Sequence, residues 1–147
     1  MIIINDIPFN QVSIIKELWE KNKKYHENIS EYFGFLYTDL VFEERINSFG
    51  IYDKEHIKIS IAENNGKLSG YCISTYEGTN GETHTLHVDA NERNNGIGRK
   101  LMESHINWLK NNGCKSINIT VAIENTNTIE FYKSLGFRAN TLEMKLT

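Results

Sequence analysis

The feature that most constrains the fold is a long alternating stretch from Ile57 to Glu77. Its two halves, "IKISIAE" and "LSGYCISTYE", repeat apolar residues at every second position, which is the period of a half-buried β-strand. The "NNGK" between them is typical of a tight turn. The sequence therefore predicts a β-hairpin at this point, and the remaining elements have to fit around it.

The segments before the hairpin predict one strand and two helical regions. Ile2–Ile4 is a short apolar strand, and the turn "NDIPF" follows it. Apolar residues then recur at three- and four-residue steps, so a helix is predicted from about Val12 to Asn28. A less regular helical region is predicted from about Asp39 to Phe49.

The segments after the hairpin alternate strands and helices. In order, we expect a strand over Glu82–Asp89, a helix ending near Asn112, a strand in "KSINITVA", a helix over about Asn127–Leu135 and a final extended "FRANTLEMKLT". This order indicates an α/β (α+β) fold with a mixed sheet and at least one right-handed crossover. No repeat or linker-like segment divides residues 1–147, so a single domain is expected.

Composition and charge exclude several classes of protein. Hydrophobic residues make up 39% of the chain and charged residues 24%, as in ordinary globular domains. No apolar run of 18 residues is present, which argues against a membrane partner. The net charge of −3 and the scattered lysines argue against nucleic acid as a partner. Cys72 and Cys114 form neither a C-x-x-C motif nor a disulfide framework, so a cytoplasmic location is expected.

The stretch "NERNNGIGRKL", between a predicted strand and a predicted helix, has the chemistry of a phosphate-binding loop. The first backbone N–H groups of a helix lack intrahelical partners, and glycines at positions 96 and 98 let an anion approach them. The dinucleotide fingerprint fails because its third glycine position is Leu101. The P-loop fails because Gly98 is followed by Arg99 and Lys100 instead of a lysine and a hydroxyl.

Arg93 to Gly98 instead fit the pattern R-x-x-G-x-G, and the later "ENTNTIEFYKSLGF" fits N-x-x-A-x-x-F-Y-x-x-x-G-F, with Thr128 in place of the small residue. In these two motifs the chain resembles the GCN5-related N-acetyltransferases, the GNAT superfamily. The resemblance covers Glu82 to Phe137 closely and the earlier residues by element order. It implies a single-domain GNAT fold, with a mixed sheet of about six or seven strands and about four helices.

The resemblance also implies which residues bind acetyl-coenzyme A. The strand Leu86, His87 and Val88 would pair with the pantetheine arm, and Asn125 would contact the coenzyme, since Asn127 is in register to cap the following helix with Glu130. Tyr132 would stand beside the coenzyme sulfur and act as general acid for the leaving thiolate. The pyrophosphate would be held by the loop residues Arg93, Asn94, Asn95, Gly96, Ile97, Gly98 and Arg99.

The general base is open between two residues, Glu82 and His84, and a water chain. Some family members carry a glutamate where this chain has Glu82, whereas others carry it where this chain has Thr120, which cannot act as a base. His84 is a second candidate because histidine titrates near neutrality. Period-two alternation predicts two opposite faces on this strand, one with Glu82, His84, Leu86 and Val88, and the other with Thr83, Thr85 and His87. His84 and His87 would then not chelate a metal, and no metal site is expected.

The acceptor is the least constrained part of the site. In the family, the helices after the first strand build the acceptor pocket, and here that segment, Tyr25 to Glu44, is rich in groups that suit a cationic amine. These are the aromatic residues Tyr25, Tyr32, Phe33, Phe35 and Tyr37 and the carboxylates Glu31, Asp39, Glu43 and Glu44.

The function that the resemblance implies is transfer of an acetyl group from acetyl-coenzyme A to a primary amine, by direct attack in a ternary complex. The acceptor would be a small molecule, a peptide N-terminus or a lysine side chain. The alternative is a non-catalytic module that binds acyl-coenzyme A. Dimers are common among the proteins that the chain resembles, so a homodimer is an expected alternative to a monomer.

Overall fold

The computed structural model describes residues 1–147 and contains one mixed five-stranded sheet. The strands are β1 (Ile2–Asp6), β2 (Ile57–Asn64), β3 (Lys67–Glu77), β4 (Asn80–Val88) and β5 (Ser116–Ile119). They lie side by side in the order of the sequence. The first four are antiparallel neighbours, and β5 pairs parallel to β4 through the connection that contains the long helix after the glycine loop.

Five α-helices flank the sheet, and short 3-10 segments precede and follow some of them. The helices are α1 (Lys16–Ile29), α2 (Phe35–Thr38), α3 (Phe42–Asn47), α4 (Ile97–Asn111) and α5 (Thr126–Ser134). The 3-10 segments are Phe9–Ile15, Ser48–Ile51, Lys54–His56 and Ala90–Glu92. None of the helices has the length and apolar character that a membrane crossing requires.

The predicted hairpin is present as β2 and β3. Its turn places Asn65 and Gly66 at φ of 53° and 82°, the left-handed values that two-residue hairpin turns need and that Asn-Gly adopts readily. The alternation of the two strands divides their side chains between two cores. Ile61, Tyr71 and Ile73 face one side of the sheet, whereas Ala62 and Cys72 face the other.

Each face of the sheet is covered by a different set of helices. On one face, Ile15, Leu18 and Trp19 from the first helical region pack with Phe42 and Phe49 against β2 and β3. On the other, α4 and α5 cover the sheet with a core of Ile97, Leu101, Met102 and Tyr132. We call these the α1 face and the α4 face. They position the two sides of the site described below.

The end of the chain differs from the sequence prediction. The segment "FRANTLEMKLT" forms no strand, so the sheet has five strands where six or seven were expected. Leu142, Met144 and Leu146 are 63%, 84% and 102% exposed, and they belong to neither core. Without a buried face, the alternation of these residues does not fix a strand register.

A bulge in β4 overturns the predicted division of its side chains. Thr83 lies opposite Ser74 and Thr85 lies opposite Ile73, so His84 is an extra residue on β4. The period-two pattern breaks at this residue. The α1 face receives Glu82, His84, Thr85 and His87, whereas the α4 face receives Thr83, Leu86 and Val88. The prediction that His84 and His87 lie on opposite faces was therefore wrong.

Candidate active site

A large cavity lies where β4 and β5 separate. The two strands pair only over Asn80–Thr83 and Ser116–Ile119, and beyond Thr83 the β5 side of β4 has no strand partner. A cavity of about 650 Å³ occupies this gap. The cavity brings together most of the residues named from the sequence, namely His84, Leu86, His87, Val88, Arg93, Asn94, Gly96, Ile97, Gly98, Arg99, Asn125 and Tyr132.

Two of the named residues lie outside this lining. Asn95 is exposed on the glycine loop and does not line the cavity. Glu82 lines a separate, smaller cavity of about 170 Å³ together with Thr75 and Tyr52. Glu82 is nevertheless connected to the large cavity, because its carboxylate contacts the His84 ring.

The glycine loop has the backbone geometry of an anion site. Asn94 and Gly96 adopt left-handed φ values of 69° and 77°, and α4 begins directly after Gly96. The first hydrogen bond of this end of the helix runs from Lys100 N–H to the Gly96 carbonyl at 3.0 Å. The N–H groups of residues 97–99 therefore have no intrahelical partner, and they carry the positive end of the helix dipole. This arrangement fits a pyrophosphate.

The two glycines of the loop are needed for different reasons. Gly96 has a backbone conformation that side chains with a Cβ rarely adopt, although a Cβ there would meet no neighbouring atom. Gly98 has an ordinary φ, and a Cβ there would lie 3.4 Å from Phe131 Cζ and 3.7 Å from Val88 Cγ2, which is normal packing distance. Of these two glycines, only Gly96 is required by its backbone conformation.

Two arginines stand at the loop end of the cavity. Arg93 donates from Nε to the Val88 carbonyl at 3.2 Å, and its guanidinium lies 5.6 Å from the centre of the Tyr25 ring. Arg99 pairs with Glu103 at 3.1 Å and donates to Ser134 Oγ at 3.2 Å. Both charges are thus fixed near the loop amides, where they add to the attraction for phosphate.

Tyr132 presents a protonated hydroxyl to the cavity. Its side chain is 6% exposed, and burial raises the pKa of its phenol above the ordinary value. The ring is packed between Phe131 and Phe137, at centroid distances of 5.3 and 5.7 Å. No protein group is hydrogen-bonded to the hydroxyl, which is accessible from the cavity. It is available as a donor to a bound molecule.

Asn125 faces the cavity, and it also precedes the first residue of α5, where Asn127 was expected to be. The helix α5 starts at Thr126, so Asn125 itself is at the N-cap position, and the prediction that Asn127 caps the helix was wrong. The Asn125 side chain makes no capping bond. Its Oδ1 instead accepts a hydrogen bond from Tyr25 OH at 3.2 Å, which joins α1 to α5 across the cavity. Its amide nitrogen is left for a ligand.

His84 is held at both ring nitrogens. Nδ1 lies 2.7 Å from Glu82 Oε2, and Nε2 lies 2.6 Å from Thr75 Oγ1. Since an ionised carboxylate can only accept, Nδ1 carries the hydrogen and Nε2 accepts from the threonine hydroxyl. Burial lowers the pKa of His84 to about 4, and the nearby Arg45 charge acts in the same direction. At neutral pH the ring is a neutral link between Thr75 and Glu82.

The segment expected to recognise the acceptor contributes less than the sequence suggested. Of the nine aromatic and acidic residues named from the sequence, only Tyr25 lines the cavity. Glu43, for example, pairs with Lys16 at 2.6 Å on the surface of the protein. The residues that the sequence reasoning missed are Asn22 and His26, which lie one turn apart on α1 and share a face with Tyr25. Their spacing was the only sequence signal for this polar face.

Residues 18–137 match the model of the acetyltransferase (GNAT) family. The chain belongs to this family. The match includes both of the motifs that suggested the resemblance, which is thereby confirmed. It is consistent with the cavity at the separation of β4 and β5, where the glycine loop and Tyr132 meet. The family uses acetyl-coenzyme A as its acetyl donor.

Two curated relatives match about half of this GNAT protein. An uncharacterized N-acetyltransferase of Methanocaldococcus jannaschii is 37% identical over 84 residues, which cover 52% of this chain and 37% of that protein. The ribosomal protein bS18-alanine N-acetyltransferase of Escherichia coli is 30% identical over 78 residues, 53% of each chain. The matches thus span about half or less of these curated relatives.

The whole fold has counterparts among solved structures. An aminoglycoside acetyltransferase from an uncultured soil metagenomic sample, solved in complex with trehalose, aligns with a TM-score of 0.72 at 16% identity. The alignment covers 99% of this chain and 95% of the other. At this identity the likeness concerns the fold alone. It confirms the α/β class expected from the sequence.

Proposed function

We propose that this protein transfers the acetyl group of acetyl-coenzyme A to a primary amine. The observation that carries the proposal is the continuity of the large cavity. It runs from the unpaired amides at the start of α4, past the free edge of β4, to the unpartnered hydroxyl of Tyr132. An anion site, an extended strand edge and a proton donor are the three features that a bound acyl thioester of this kind needs.

The binding steps follow from the loop and the strand edge. The amides of residues 97–99, with Arg93 and Arg99, hold the pyrophosphate. The β4 edge from Leu86 to Val88, which lacks a strand partner, pairs with the amide groups of the pantetheine arm. A backbone N–H on this edge near Val88 polarises the thioester carbonyl as negative charge develops on its oxygen.

The reaction is a direct attack in a ternary complex. The lone pair of the neutral amine forms the new C–N bond at the thioester carbon, the C–S bond breaks, and the electron pair leaves with the sulfur. Tyr132 then donates its proton to the thiolate across a short hydrogen bond. The acylated nitrogen loses its extra proton, and this proton restores the phenol. The raised pKa of the phenol keeps that proton in place until the thiolate forms.

The ammonium form of the acceptor has to lose a proton before it attacks. His84 is neutral and both of its nitrogens are engaged, so it does not act as the terminal acceptor of that proton. We assign it a relay role. The Thr75 hydroxyl takes up the proton and passes its own hydrogen to Nε2, which allows Nδ1 to release its proton to Glu82. The Glu82 side chain is 47% exposed and returns the proton to solvent.

Release of free thiol from acetyl-coenzyme A, measured with a panel of amines, tests the proposal. The panel includes amino sugars, aminoglycosides, polyamines, amino-acid amides and short peptides with free N-termini. Amine-dependent release well above hydrolysis supports acetyl transfer. Tight binding of acetyl-coenzyme A without release for any amine would contradict it and favour a non-catalytic binding module.

A further inference from the structure

His87 is a buried imidazole without a protein partner. Its side chain is 7% exposed and lines the large cavity from the α1 face of β4. Only burial and nearby charges act on it, and no hydrogen bond reaches either nitrogen. Its ring nitrogens are accessible at the cavity wall, so they are available to hydrogen-bond with a molecule in the cavity.

A second unpaired imidazole lies opposite, on α1. His26 lines the same cavity, its Nδ1 is buried without any partner, and its ring is stacked on Tyr37 at 5.3 Å. Both rings therefore border the same space. Asn22, one turn earlier, donates weakly to Thr85 at 3.5 Å and leaves its amide oxygen free. The α1 face of the cavity is therefore a cluster of polar groups without partners.

This cluster is neutral at physiological pH. Burial lowers the pKa of His87 to about 4, the Arg93 and Lys21 charges act in the same direction, and Asp89 opposes them. Burial also lowers the pKa of His26. The neutral His87 ring offers one N–H donor and one bare nitrogen acceptor, and His26 offers its Nε2, because its Nδ1 is buried. Such pairs match hydroxyl and amide groups, which also donate and accept.

The cavity contains little that could pair with several positive charges. The only carboxylate in its lining is Glu92, which is engaged by Asn64 at 2.9 Å and lies 3.9 Å from Lys67. Asp89, near His87, is 5% exposed and is flanked by Lys21 at 3.6 Å and Lys67 at 3.8 Å. A polycation would be desolvated here without counter-charges, and that costs free energy.

We propose that His26 and His87 form the acceptor subsite, and that this subsite takes a monoamine whose other polar groups are uncharged hydroxyls or amides. The proposal rests on the proposed acetyl transfer and adds the class of the acceptor. The imidazoles hydrogen-bond to the neutral body of the acceptor, which directs its single amine toward the thioester near Tyr132. Aminoglycosides and polyamines are poor acceptors on this view.

The test compares D-glucosamine and L-serinamide with spermine and kanamycin. For the wild type, kcat/KM for the two monoamines should exceed that for the polycations by about tenfold or more, roughly the cost of one unpaired buried group. His26→Leu and His87→Leu should each raise the KM for L-serinamide by a similar factor. For His26→Leu the KM for acetyl-coenzyme A should stay within about twofold. His26→Gln should recover part of the loss, and His56→Leu, outside the cavity, serves as control.

Three outcomes are distinguishable. Equal or better turnover of kanamycin or spermine would overturn the assigned acceptor class while leaving acetyl transfer intact. An unchanged KM in both leucine variants, with thermal melts showing them folded, would overturn the subsite. If no amine is acetylated, acetyl transfer itself fails. Calorimetric titration of L-serinamide into the coenzyme complex then decides on the subsite, since equal binding by wild type and His26→Leu would reject it.

Discussion

Tyr132 combines a tightly packed ring with a hydroxyl that no protein group engages, so its removal should affect chemistry and not structure. Tyr132→Phe should lower kcat by about tenfold or more, because the thiolate then leaves without a positioned proton donor. The dissociation constant for acetyl-coenzyme A should change little, since the loop amides and the β4 edge are untouched. Steady-state kinetics and calorimetry of the coenzyme measure the two quantities. Unchanged turnover would remove Tyr132 from the mechanism.

The relay from His84 to Glu82 makes a separate prediction about pH. Glu82→Gln keeps the shape of the side chain but leaves no strong proton acceptor 2.7 Å from His84 Nδ1. The loss of kcat/KM should be largest near pH 7 and should shrink toward pH 10, because an alkylamine with a pKa of about 10.4 then loses its proton without help. The matched variant His84→Asn should show the same trend. A loss that is constant across this range would mean that Glu82 is only structural.

At the scale of elements, variants of the loop before α4 can distinguish a glycine that the backbone conformation requires from a glycine that a bound ligand requires. Gly96→Ala forces a Cβ into the left-handed region and should cost about 1–2 kcal/mol of folding free energy. Gly96→Asn should recover much of that cost, because asparagine tolerates this region. Gly98→Ala meets only ordinary contacts and should leave stability unchanged.

The KM for acetyl-coenzyme A is a second measurement that distinguishes the same variants. If the pyrophosphate approaches the backbone at residue 98, the methyl group of Gly98→Ala stands in its way, and the KM for acetyl-coenzyme A should rise with stability intact. Urea denaturation and coenzyme KM are measured together on all three variants. A Gly98→Ala protein with wild-type KM would show that the anion is bound elsewhere.

The sequence predicted elements well and local irregularities poorly. Period and turn chemistry were enough for the hairpin, for α4 and for the glycine loop, because each depends on neighbouring residues. The bulge at His84 depends on how β4 registers against β3, and no local pattern encodes it. Similarly, Asn127 and Glu130 satisfied a capping pattern, but α5 began one residue after Asn125. The face of the sheet on which the β4 histidines lie could therefore be learned only from the structure.

At the scale of the whole molecule, the separation of β4 and β5 divides the site between the two faces of the sheet. The glycine loop and Tyr132, to which we assign the coenzyme, belong to the α4 face, and the motifs that predicted them are contiguous in sequence. The proposed acceptor side belongs to the α1 face, where residues of α1 line the same cavity as His87, more than sixty positions later. Only the fold brings these residues together, which is why the donor could be inferred from the sequence and the acceptor pocket could not.

A buried network of hydrogen-bonded side chains connects the sheet with α4. His105 is fully buried; its Nδ1 lies 2.7 Å from Ser74 Oγ and its Nε2 lies 2.9 Å from Ser60 Oγ. Ser60 donates to Asp6 at 2.6 Å, and Ser74 is bonded to Thr83 at 2.8 Å. Because Ser60 gives its hydrogen to the carboxylate, His105 Nε2 donates and Nδ1 accepts. With the imidazole neutral, every member of this set has a partner.

The burial of His105 in this network predicts that acid destabilises the protein. Burial and the Lys58 charge lower the pKa of His105 to about 3, against 6.5 in the unfolded chain, and Asp6 only partly opposes them. Between these values the unfolded state binds the extra proton, so stability is complete above pH 6.5 and falls as the pH drops toward 3. For His105 alone, the loss from pH 7 to pH 5 is on the order of 2 kcal/mol. His84 and His87, with pKa values lowered to about 4, add to it in the same direction.

Urea denaturation at pH 8, 7, 6 and 5 measures this loss. His105→Asn should be less stable than wild type at pH 8, because the buried network is broken, but its stability should fall less between pH 7 and pH 5, because one titrating group is gone. The difference between the two slopes isolates His105 from the effect of the substitution on packing. Parallel pH profiles for wild type and variant would show that His105 is not the group that makes the fold sensitive to acid.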